Sequence, residues 1–513
     1  MDHLIGLVLS LGYTAAFLFL ISRMRFFRIG NVPVKWFQGV FVLKVISGFF
    51  LYLIYTYYYT DRSTSDIWKY FDDGMILFSA LRDHPMDYFQ MLFGIGNDGP
   101  RFDAYYDQMS HWYRPYGSSI ANDTHTIIRF NAFVRLFSLG HYNVHSVVVN
   151  FLGLIGLTGI FHFLREMKPA KEKWFFLGVF LMPGMMFWAS GVLKEPLLLF
   201  GLGLFLFGVS KLALDGWSIG RTALVLLSLV FLFTVKSYAL IAIIPGLIAW
   251  GICRRVTRIH PSIVFLSVYS LGAIGLVGMG KVIPEKDVLQ RLAKRQYEFY
   301  QLAEGGTYVR TAANDTLYIG AENYGGLEFS SDRKILSLSE DLKAVHWEDA
   351  KQTDATELEL TVGTELTVLL DYGKTGSAID IPRLEPNAMS VVKAIPMALV
   401  NATFRPFPQH INSPFMLLSG LENLIIGLLL FLAIIGVFRG KPFPRNPIFY
   451  IAVAFALVIL VLTGLVTPVV GAIVRYKVPA LPFLVCALLA MIDTERIGRT
   501  VISRIPFLRM IFP

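Results

Sequence analysis

Residues 222–252 read TALVLLSLVFLFTVKSYALIAIIPGLIAWGI, an apolar run that is interrupted near its middle by Lys236-Ser237-Tyr238. A bilayer core about 30 Å thick is crossed by roughly 20 residues of α-helix. The run is therefore too long for one straight span and short for two. We predict two short, bent spans, 222–236 and 237–252, which meet at the polar triplet. The alternative is a single long, tilted helix.

The rest of the chain is equally apolar. Hydrophobic residues make up 55% of the sequence and charged residues only 16%, whereas soluble domains carry roughly 25% charged residues. The predicted fold class is an α-helical polytopic membrane protein with about 11 transmembrane helices and a small β-rich insertion outside the membrane. The predicted spans are 4–22, 37–57, 146–164, 174–190, 196–213, 222–236, 237–252, 261–280, 413–437, 447–467 and 478–492.

Lysine and arginine residues set the predicted orientation. With eleven spans, the basic clusters all fall on one face, which should be cytoplasmic. The N-terminus is then outside and the C-terminus inside, and the formal charge of +9 is assigned to helix orientation rather than to nucleic-acid binding. One long helix at 222–252 would break this pattern. The clusters are Arg23, Arg25, Arg28 and Lys35; Arg165, Lys168, Lys171 and Lys173; Lys211 and Arg221; Arg254, Arg255 and Arg258; Arg439, Lys441 and Arg445; and Arg496, Arg499, Arg504 and Arg509.

These spans divide the chain into six predicted segments. They are 1–57 with the N-terminal transmembrane helices, 58–145 as a first extracytoplasmic loop with amphipathic helices, 146–280 as a central bundle, 281–412 as a second extracytoplasmic segment, 413–492 with the C-terminal transmembrane helices, and 493–513 as a basic cytoplasmic tail.

Two local patterns stand out in the extracytoplasmic segments. Period-two alternation in 357–362 and 365–372, separated by a glycine turn, predicts a β-hairpin inside a β-rich domain at about 305–376. Its role is either a lid or spacer without chemistry, or a functional one. Residues 126–138 predict an amphipathic helix whose apolar positions lie on the membrane surface.

Acidic residues gather just after the second predicted span. Asp66, Tyr70 and Asp73 share one face of a helix that starts near Ser65, with Asp72 adjacent. This face predicts a cleft that carries carboxylates. The alternative is an acidic helix start in water.

Cations occupy the outer ends of later spans. Arg475 and Lys477, on either side of Tyr476, lie against the positive-inside bias and suggest an anionic ligand, since arginine suits phosphate. Phospholipid headgroup binding is the alternative. Lys236 and Arg405 extend the same positive rim.

Other charged residues lie in or beside spans. Lys194 and Glu195 join two apolar spans and are either part of a site or an interfacial anchor. Lys44 and Glu422 lie within spans, where ionisable residues are functional candidates by default; a hydrogen bond to a neighbouring helix is the alternative for Glu422.

Cofactor signals are weak. The two cysteines, Cys253 and Cys486, form no CxxC motif, and no HExxH motif occurs. We therefore predict no certain cofactor. A weakly bound divalent metal, Mg²⁺ or Mn²⁺, held by aspartate and phosphate stays an open alternative.

Three short motifs point to a family. They are Ser65-Asp66-Ile-Trp-Lys-Tyr-Phe, Phe187-Trp-Ala-Ser-Gly-Val-Leu-Lys194-Glu195 and Gly471-Ala-Ile-Val-Arg475-Tyr-Lys-Val-Pro. Together with the many spans, the long first outer loop and the soluble insertion, they resemble the GT-C class of membrane glycosyltransferases, which use polyprenyl-phosphate-linked sugars. They also look like segments of uncharacterised bacterial membrane proteins near that class.

The resemblance implies roles for particular residues. Asp66 would be the catalytic base, with Asp73 and Asp72 behind it. The donor phosphate would be bound by Arg475, Lys477, Lys194, Lys236 and Arg405, and the supporting residues would be Tyr70, Glu195, Glu422 and Tyr476.

The resemblance also implies partners and a location. The partners would be a polyprenyl-phosphate-linked sugar, membrane lipids and a glycan or lipid acceptor, in the bacterial inner membrane. Three rival readings stay open: a polysaccharide polymerase or ligase that acts on lipid-linked oligosaccharide, a transporter or flippase, and a scaffold that holds a partner through the β-rich segment.

Overall fold

The computed structural model describes residues 2–59, 62, 65–112, 122–313, 315–330, 335–346, 357–372, 375–411 and 413–493. The chain forms two compact units. The first contains Met1–Tyr269, Leu417–Ile459 and Val478–Pro513, and the second contains Ser270–Met416 and Leu460–Lys477.

The α-helices are numbered in chain order. They are α1 (Asp2–Arg23), α2 (Val34–Leu53), α3 (Asp66–Asp83), α4 (Pro85–Phe93), α5 (Asp103–Tyr106), α6 (Asp123–Ser138), α7 (Tyr142–Arg165), α8 (Glu172–Phe180), α9 (Pro183–Phe187), α10 (Lys194–Asp215), α11 (Ile219–Arg255), α12 (Pro261–Val282), α13 (Val288–Glu304), α14 (Ala388–Phe404), α15 (Pro414–Phe438), α16 (Pro447–Val466), α17 (Val470–Tyr476) and α18 (Leu481–Met491).

Within the described residues, nine helices are long and apolar enough to cross a bilayer, so the chain is a helical membrane protein. The count differs from the eleven predicted runs at two places: 174–190 forms no helix of spanning length, and 222–252 lies within the single element α11. The nine are Leu4–Arg23, Val34–Tyr58, Tyr142–Arg165, Lys194–Asp215, Ile219–Arg255, Pro261–Val282, Met416–Phe438, Pro447–Val466 and Val470–Met491.

Helices α7 and α10 of the first unit run side by side in the same direction. A Cβ atom on Gly203 would overlap the backbone of Gly156, so only glycine allows this close approach. Their contacts advance in step: Gly153 with Pro196, Gly156 with Leu199, Gly159 with Gly203, and His162 with Phe207. We call the two ends of this pair the Lys194 end and the Arg165 end.

Because α7 and α10 are parallel, residues 166–193 have to return from the Arg165 end to the Lys194 end. They do so as two short helices, α8 and α9, followed by irregular chain. Pro183 starts α9, where the missing N–H of proline is tolerated. The return path is therefore a broken helix, and exposed backbone at membrane depth is tolerated only when protein surrounds it.

Charged side chains from other helices satisfy the backbone of this broken segment. The Nζ atom of Lys44 donates to the carbonyl oxygen of Ala189 at 2.5 Å and to the Ser190 hydroxyl at 3.0 Å. At the other end of α9, the Gly184 N–H donates to Oε2 of Glu422 at 2.6 Å. A carboxylate at the start and an ammonium at the end of α9 match its dipole. Lys44 and Glu422, predicted as functional candidates, thus bind backbone groups here.

Helix α11 changes direction at Lys236, whose backbone is non-helical (φ −156°, ψ 90°). Before this residue α11 packs antiparallel to α10, with Leu232 against Gly201. After it, the ring of Trp250 lies 6.0 Å from that of Phe163, close to the Arg165 end. The two halves of α11 therefore run up and back along the bundle, and the break falls at the polar triplet where the sequence predicted it.

Helix α6 differs from its prediction. The side chains of Ile127, Ile128 and Val134 are fully buried inside the protein, while Phe133 and Leu136 are about half exposed. The prediction that all the apolar positions of 126–138 lie on the membrane surface is wrong, because this helix packs against α3, α7, α10 and α11.

The second unit contains a seven-stranded antiparallel sheet within the stretch predicted to be β-rich. Its strands are β1 (Gly306–Arg310), β2 (Thr316–Gly320), β3 (Leu327–Phe329), β4 (Ile335–Leu338), β5 (Leu342–His346), β6 (Glu357–Leu360) and β7 (Glu365–Tyr372). The strand order is β3-β4-β7-β1-β2-β5-β6.

The predicted hairpin between β6 and β7 is wrong, although both strands exist. Strand β7 pairs with β1 on one side and β4 on the other, so both of its edges are occupied. Strand β6 pairs with β5 instead. Period-two alternation reveals a strand and its buried face, but it does not identify the partner strand.

Candidate functional site

A partly buried cluster of charged residues lies at the Lys194 end of the first unit. Asp123 binds two ammonium groups: Oδ1 lies 3.0 Å from Nζ of Lys194, and Oδ2 lies 2.5 Å from Nζ of Lys236. Nζ of Lys194 also donates to the hydroxyl of Thr124 at 2.7 Å. We call Asp123, Thr124, Lys194 and Lys236 the Asp123 cluster.

Three helix features bring these residues together. Asp123 is the first residue of α6, where the Asn122 side chain caps the helix by accepting the N–H groups of Thr124 and His125 at 3.0 and 3.3 Å. Lys194 is the first residue of α10, and Lys236 is the break in α11. A helix start, a second helix start and a break therefore converge on one carboxylate.

The cations keep Asp123 ionised. Burial alone would raise its pKa, but the ammonium groups of Lys236 and Lys194 hold the pKa well below the ordinary value. The ammonium of Lys194 also lies 5.3 Å from the centroid of the Tyr70 ring, within reach of a cation–π interaction.

Asp66 lies beside this cluster. Its side chain is 32% exposed, and Oδ1 lies 4.0 Å from Nε2 of His111. Its carboxylate also interacts electrostatically with Lys194. His111 contacts Tyr70 as well, with 5.6 Å between the ring centroids. Asp66 therefore combines access to solvent with nearby cationic and imidazole groups.

Asp73 and Asp72, predicted to stand behind Asp66, bind other partners. The buried carboxylate of Asp73 accepts the backbone N–H groups of Ser110 and His111 at 2.8 and 2.7 Å. Burial raises the pKa of Asp73 to about 6 despite these hydrogen bonds. Asp72 forms an exposed two-pronged pair with Arg62, at 2.6 and 2.8 Å. The predicted face of Asp66, Tyr70 and Asp73 exists, and His111 lies over it.

Two histidines near the cluster are uncharged at neutral pH. Burial, together with Lys69, lowers the pKa of His111 to about 4. Burial, together with Arg129, lowers the pKa of His125 to about 3. The ring of His125 stacks on Trp112 at 3.7 Å, and its nitrogens have no hydrogen-bond partner among the residues that the structure describes.

The remaining predicted residues of the first unit are Glu195 and Glu422. Glu195 is buried next to Lys194 in the first turn of α10. Glu422 is buried, and its Oε2 accepts the Gly184 N–H at 2.6 Å.

The other predicted cations belong to the second unit. Arg475 and Tyr476 end α17, where the Tyr476 ring lies 5.9 Å from that of Phe299, and Lys477, which follows, is fully buried. Nε of Arg405 donates to Oδ1 of Asn401 at 2.9 Å.

The sequence analysis missed Asp123, Thr124 and His111. A signal for the first two was present, because Asn122-Asp123-Thr124 before an apolar run is a typical helix N-terminus. No local signal marks His111, since the loop that places it is held by Asp73 from another element.

Within the described part of the chain, no group of three or more His, Cys, Asp or Glu side chains is arranged to hold a metal ion. The Asp123 cluster instead presents ammonium groups, which suit an anion rather than a metal.

Comparisons with known proteins add no identity. No protein-family model matches the chain, no curated protein matches it, and no solved structure matches it.

Proposed function

We propose that this chain is a GT-C-like membrane glycosyltransferase that moves a sugar from a polyprenyl-phosphate-linked donor to a hydroxyl group of a glycan or lipid acceptor. The observation that carries the proposal is the position of Asp66. It is a partly exposed carboxylate beside an uncharged His111 and close to the ammonium of Lys194. An acid and a bound cation pair are the two elements that transfer from a lipid phosphate requires.

The proposed topology has eleven passes. Nine come from the long apolar helices, one from the broken return path 166–193, and one from the reversal of α11 at Lys236. Lys and Arg clusters favour a cytoplasmic C-terminus and an external N-terminus. The Lys194 end then faces the outside of a bacterial inner membrane, where the lipid-linked donor would be used.

In the proposed reaction, the acceptor hydroxyl gives its proton to Asp66 as its oxygen attacks the anomeric carbon of the sugar. The bond between that carbon and the donor phosphate oxygen breaks, and the phosphate leaves with the electron pair. Lys194 and Lys236 offset the negative charge on the leaving phosphate. The product is a new glycosidic bond and a free lipid phosphate.

Asp123 has a positioning role in this scheme. An ammonium group has three N–H donors, and Asp123 and Thr124 accept two of those of Lys194. The third is available to a phosphate oxygen. Tyr70 and Glu195, of the same unit, stay proposed as supporting residues.

Replacing the proposed base tests this function. We expect Asp66→Asn to reduce transfer from a polyprenyl-phosphate sugar by about 10²–10⁴-fold, the usual contribution of a general base. The matched control is Asp72→Asn, whose carboxylate binds exposed Arg62. Purified protein, lipid-linked radiolabelled sugar and the acceptor glycolipid fraction give the readout. Full activity of Asp66→Asn would remove this residue from the mechanism.

Product analysis separates the rival functions in the same assay. A single added sugar supports the transferase, and a growing chain supports the polymerase or ligase. Movement of the lipid across the bilayer without a new glycosidic bond would overturn both and favour a flippase.

A further inference from the structure

A second charged feature lies at the opposite, Arg165 end of the first unit. A cavity of about 240 Å³ opens there. Its lining contains the cations Arg28, Arg165 and Lys211, one acid, Glu166, and apolar side chains that include Phe207 and Leu214. Its volume is below the roughly 300–1,000 Å³ of pockets that enclose a whole drug-sized ligand. The glycosyltransferase scheme makes no use of this cavity.

Helix packing explains why the cavity forms. Glycines hold the backbones of α7 and α10 in contact at Gly156 and Gly203. One turn further on, the larger rings of His162 and Phe207 lie between the helices, with 4.9 Å between their centroids. The ring of Phe26 packs on both rings, and the backbone carbonyl oxygen of Phe26 accepts a hydrogen bond from Nε2 of His162 at 2.9 Å. The rings of His162 and Phe207 both line the cavity.

The cations around the cavity are not fully neutralised. Nη1 of Arg165 lies 3.6 Å from Glu172 and has no hydrogen-bond partner in the described chain, although its Nε contacts Glu166 at 3.3 Å. Lys211 pairs with Asp215 at 3.0 Å. Arg28 is exposed and forms no ion pair with any described residue. The exposed guanidinium of Arg28 therefore has donors available to a ligand, and Arg165, whose side chain is 25% exposed, lines the same cavity.

We propose that this cavity binds the phosphate group of an anionic phospholipid. Arg28 and Arg165 provide planar donors that match phosphate oxygens, and Phe207 and Leu214 provide apolar surface for the start of the acyl chains. Basic pockets between the ends of transmembrane helices are where anionic headgroups bind. The small volume fits a headgroup alone.

Lipid retention by the full-length protein tests the proposal. Purified protein in detergent is mixed with equal amounts of phosphatidylglycerol and phosphatidylcholine, and bound lipid is counted by native mass spectrometry. We expect the wild type to retain phosphatidylglycerol preferentially. Arg28→Gln and Arg165→Gln should each reduce that retention about fivefold, the factor expected per basic residue at an anionic surface.

A second variant and a control guard against loss of folding. Leu214→Glu places a negative charge at a rim position that is 55% exposed and should reduce retention without changing the packing. Arg258→Gln removes an exposed cation outside the cavity lining and should have no effect. Equal retention of both lipids by the wild type, or unchanged retention in all three cavity variants, would overturn the proposal.

A competition with inorganic phosphate identifies the source of the phosphate group. If millimolar phosphate leaves phosphatidylglycerol bound, the ligand is the lipid headgroup. If it displaces the lipid from the wild type but not from Arg258→Gln, the cavity does not bind phosphate and the proposal fails. If phosphate displaces phosphatidylglycerol from both proteins, the cavity is assigned to a soluble phosphate ester and the lipid proposal is overturned. The glycosyl-transfer assay is independent of these results.

Discussion

Lys44 is fully buried and Lys194 is largely buried, both at or within apolar helices, yet they bind different kinds of group. The ammonium group of Lys194 binds the carboxylate of Asp123, which also binds Lys236. The ammonium group of Lys44 donates to the carbonyl oxygen of Ala189 and the hydroxyl of Ser190, which follow α9. The first arrangement concentrates charge next to a partly exposed acid, and the second completes the hydrogen bonding of a helix end.

The difference shows that burial of a charge within a membrane bundle does not by itself indicate function. The kind of partner separates the two cases. A cation on backbone carbonyls replaces hydrogen bonds that the broken helix lacks, whereas two cations on one carboxylate keep an excess of positive charge. Four substitutions test this distinction.

The largest effect is expected from Asp123→Asn. This change leaves the ammonium groups of Lys194 and Lys236, whose side chains are 14% and 18% exposed, without their carboxylate. Removing one partner of a fully buried ion pair costs about 3–5 kcal/mol. Because the Asp123 side chain is 29% exposed, we expect a loss of about 3 kcal/mol in the free energy of unfolding. Chemical denaturation in detergent measures it. An unchanged unfolding curve would show that the cluster contributes no stability.

Lys44→Met should have the second largest effect. It leaves the carbonyl oxygen of Ala189 unsatisfied inside the bundle, and an unsatisfied buried polar group costs about 1–3 kcal/mol. We expect a loss of about 2 kcal/mol in the free energy of unfolding. Lys35→Met is the matched control, since it makes the same change at an exposed position of the same helix. Equal effects of the two variants would contradict the capping role.

Asp73→Asn should change the pH dependence of stability. The native pKa of Asp73 is raised to about 6, so its contribution to stability falls as pH rises from about 4 to 6. The native pKa of His111 is lowered to about 4, so its contribution rises between about 4 and 6.5. The two oppose each other in the wild type.

Removing the titration of Asp73 leaves the His111 contribution uncompensated. We expect the free energy of unfolding of Asp73→Asn, measured by chemical denaturation, to increase with pH more steeply than that of the wild type between about pH 4 and 6. The difference should be on the order of 1–2 kcal/mol. Asp72→Asn serves as the neighbouring control. Parallel pH profiles for Asp73→Asn and the wild type would rule out this compensation.

The smallest effect is expected from Asp215→Asn. Asp215 also lies between two cations, Lys211 at 3.0 Å and Arg221 at 3.9 Å, but its side chain is 40% exposed. Solvent screens such pairs, so the free energy of unfolding should change by less than about 1 kcal/mol. The same denaturation assay compares it with Asp123→Asn. A loss as large as that of Asp123→Asn would show that burial does not set the difference.

The sequence predicted the features that depend on local composition. Apolar runs located the long helices, and the polar triplet located the break in α11, because a lysine in the middle of an apolar run is unfavourable unless the chain leaves the membrane core there. Alternating residues located β6 and β7 as strands.

Features that depend on contacts between distant segments were not predicted. The pairing of β6 with β5 rather than β7 follows from the closure of the whole sheet. The meeting of Asp123 with Lys194 and Lys236 joins the start of α6, the start of α10 and the break in α11, which are far apart in sequence. The sequence motif indicated Asp66 as the candidate base. Only the structure showed that Asp72 and Asp73 bind other partners, Arg62 and the backbone of Ser110 and His111.

The contact between Gly184 and Glu422 has a consequence for biogenesis. Its two partners are 238 residues apart, so the ribosome must synthesise α10 through the early part of α15 before the carboxylate exists. Until then α9 lacks the carboxylate that caps its start. Its final seating therefore belongs to a late, post-insertion rearrangement, and nascent chains that stop before residue 422 should expose this segment to proteolysis.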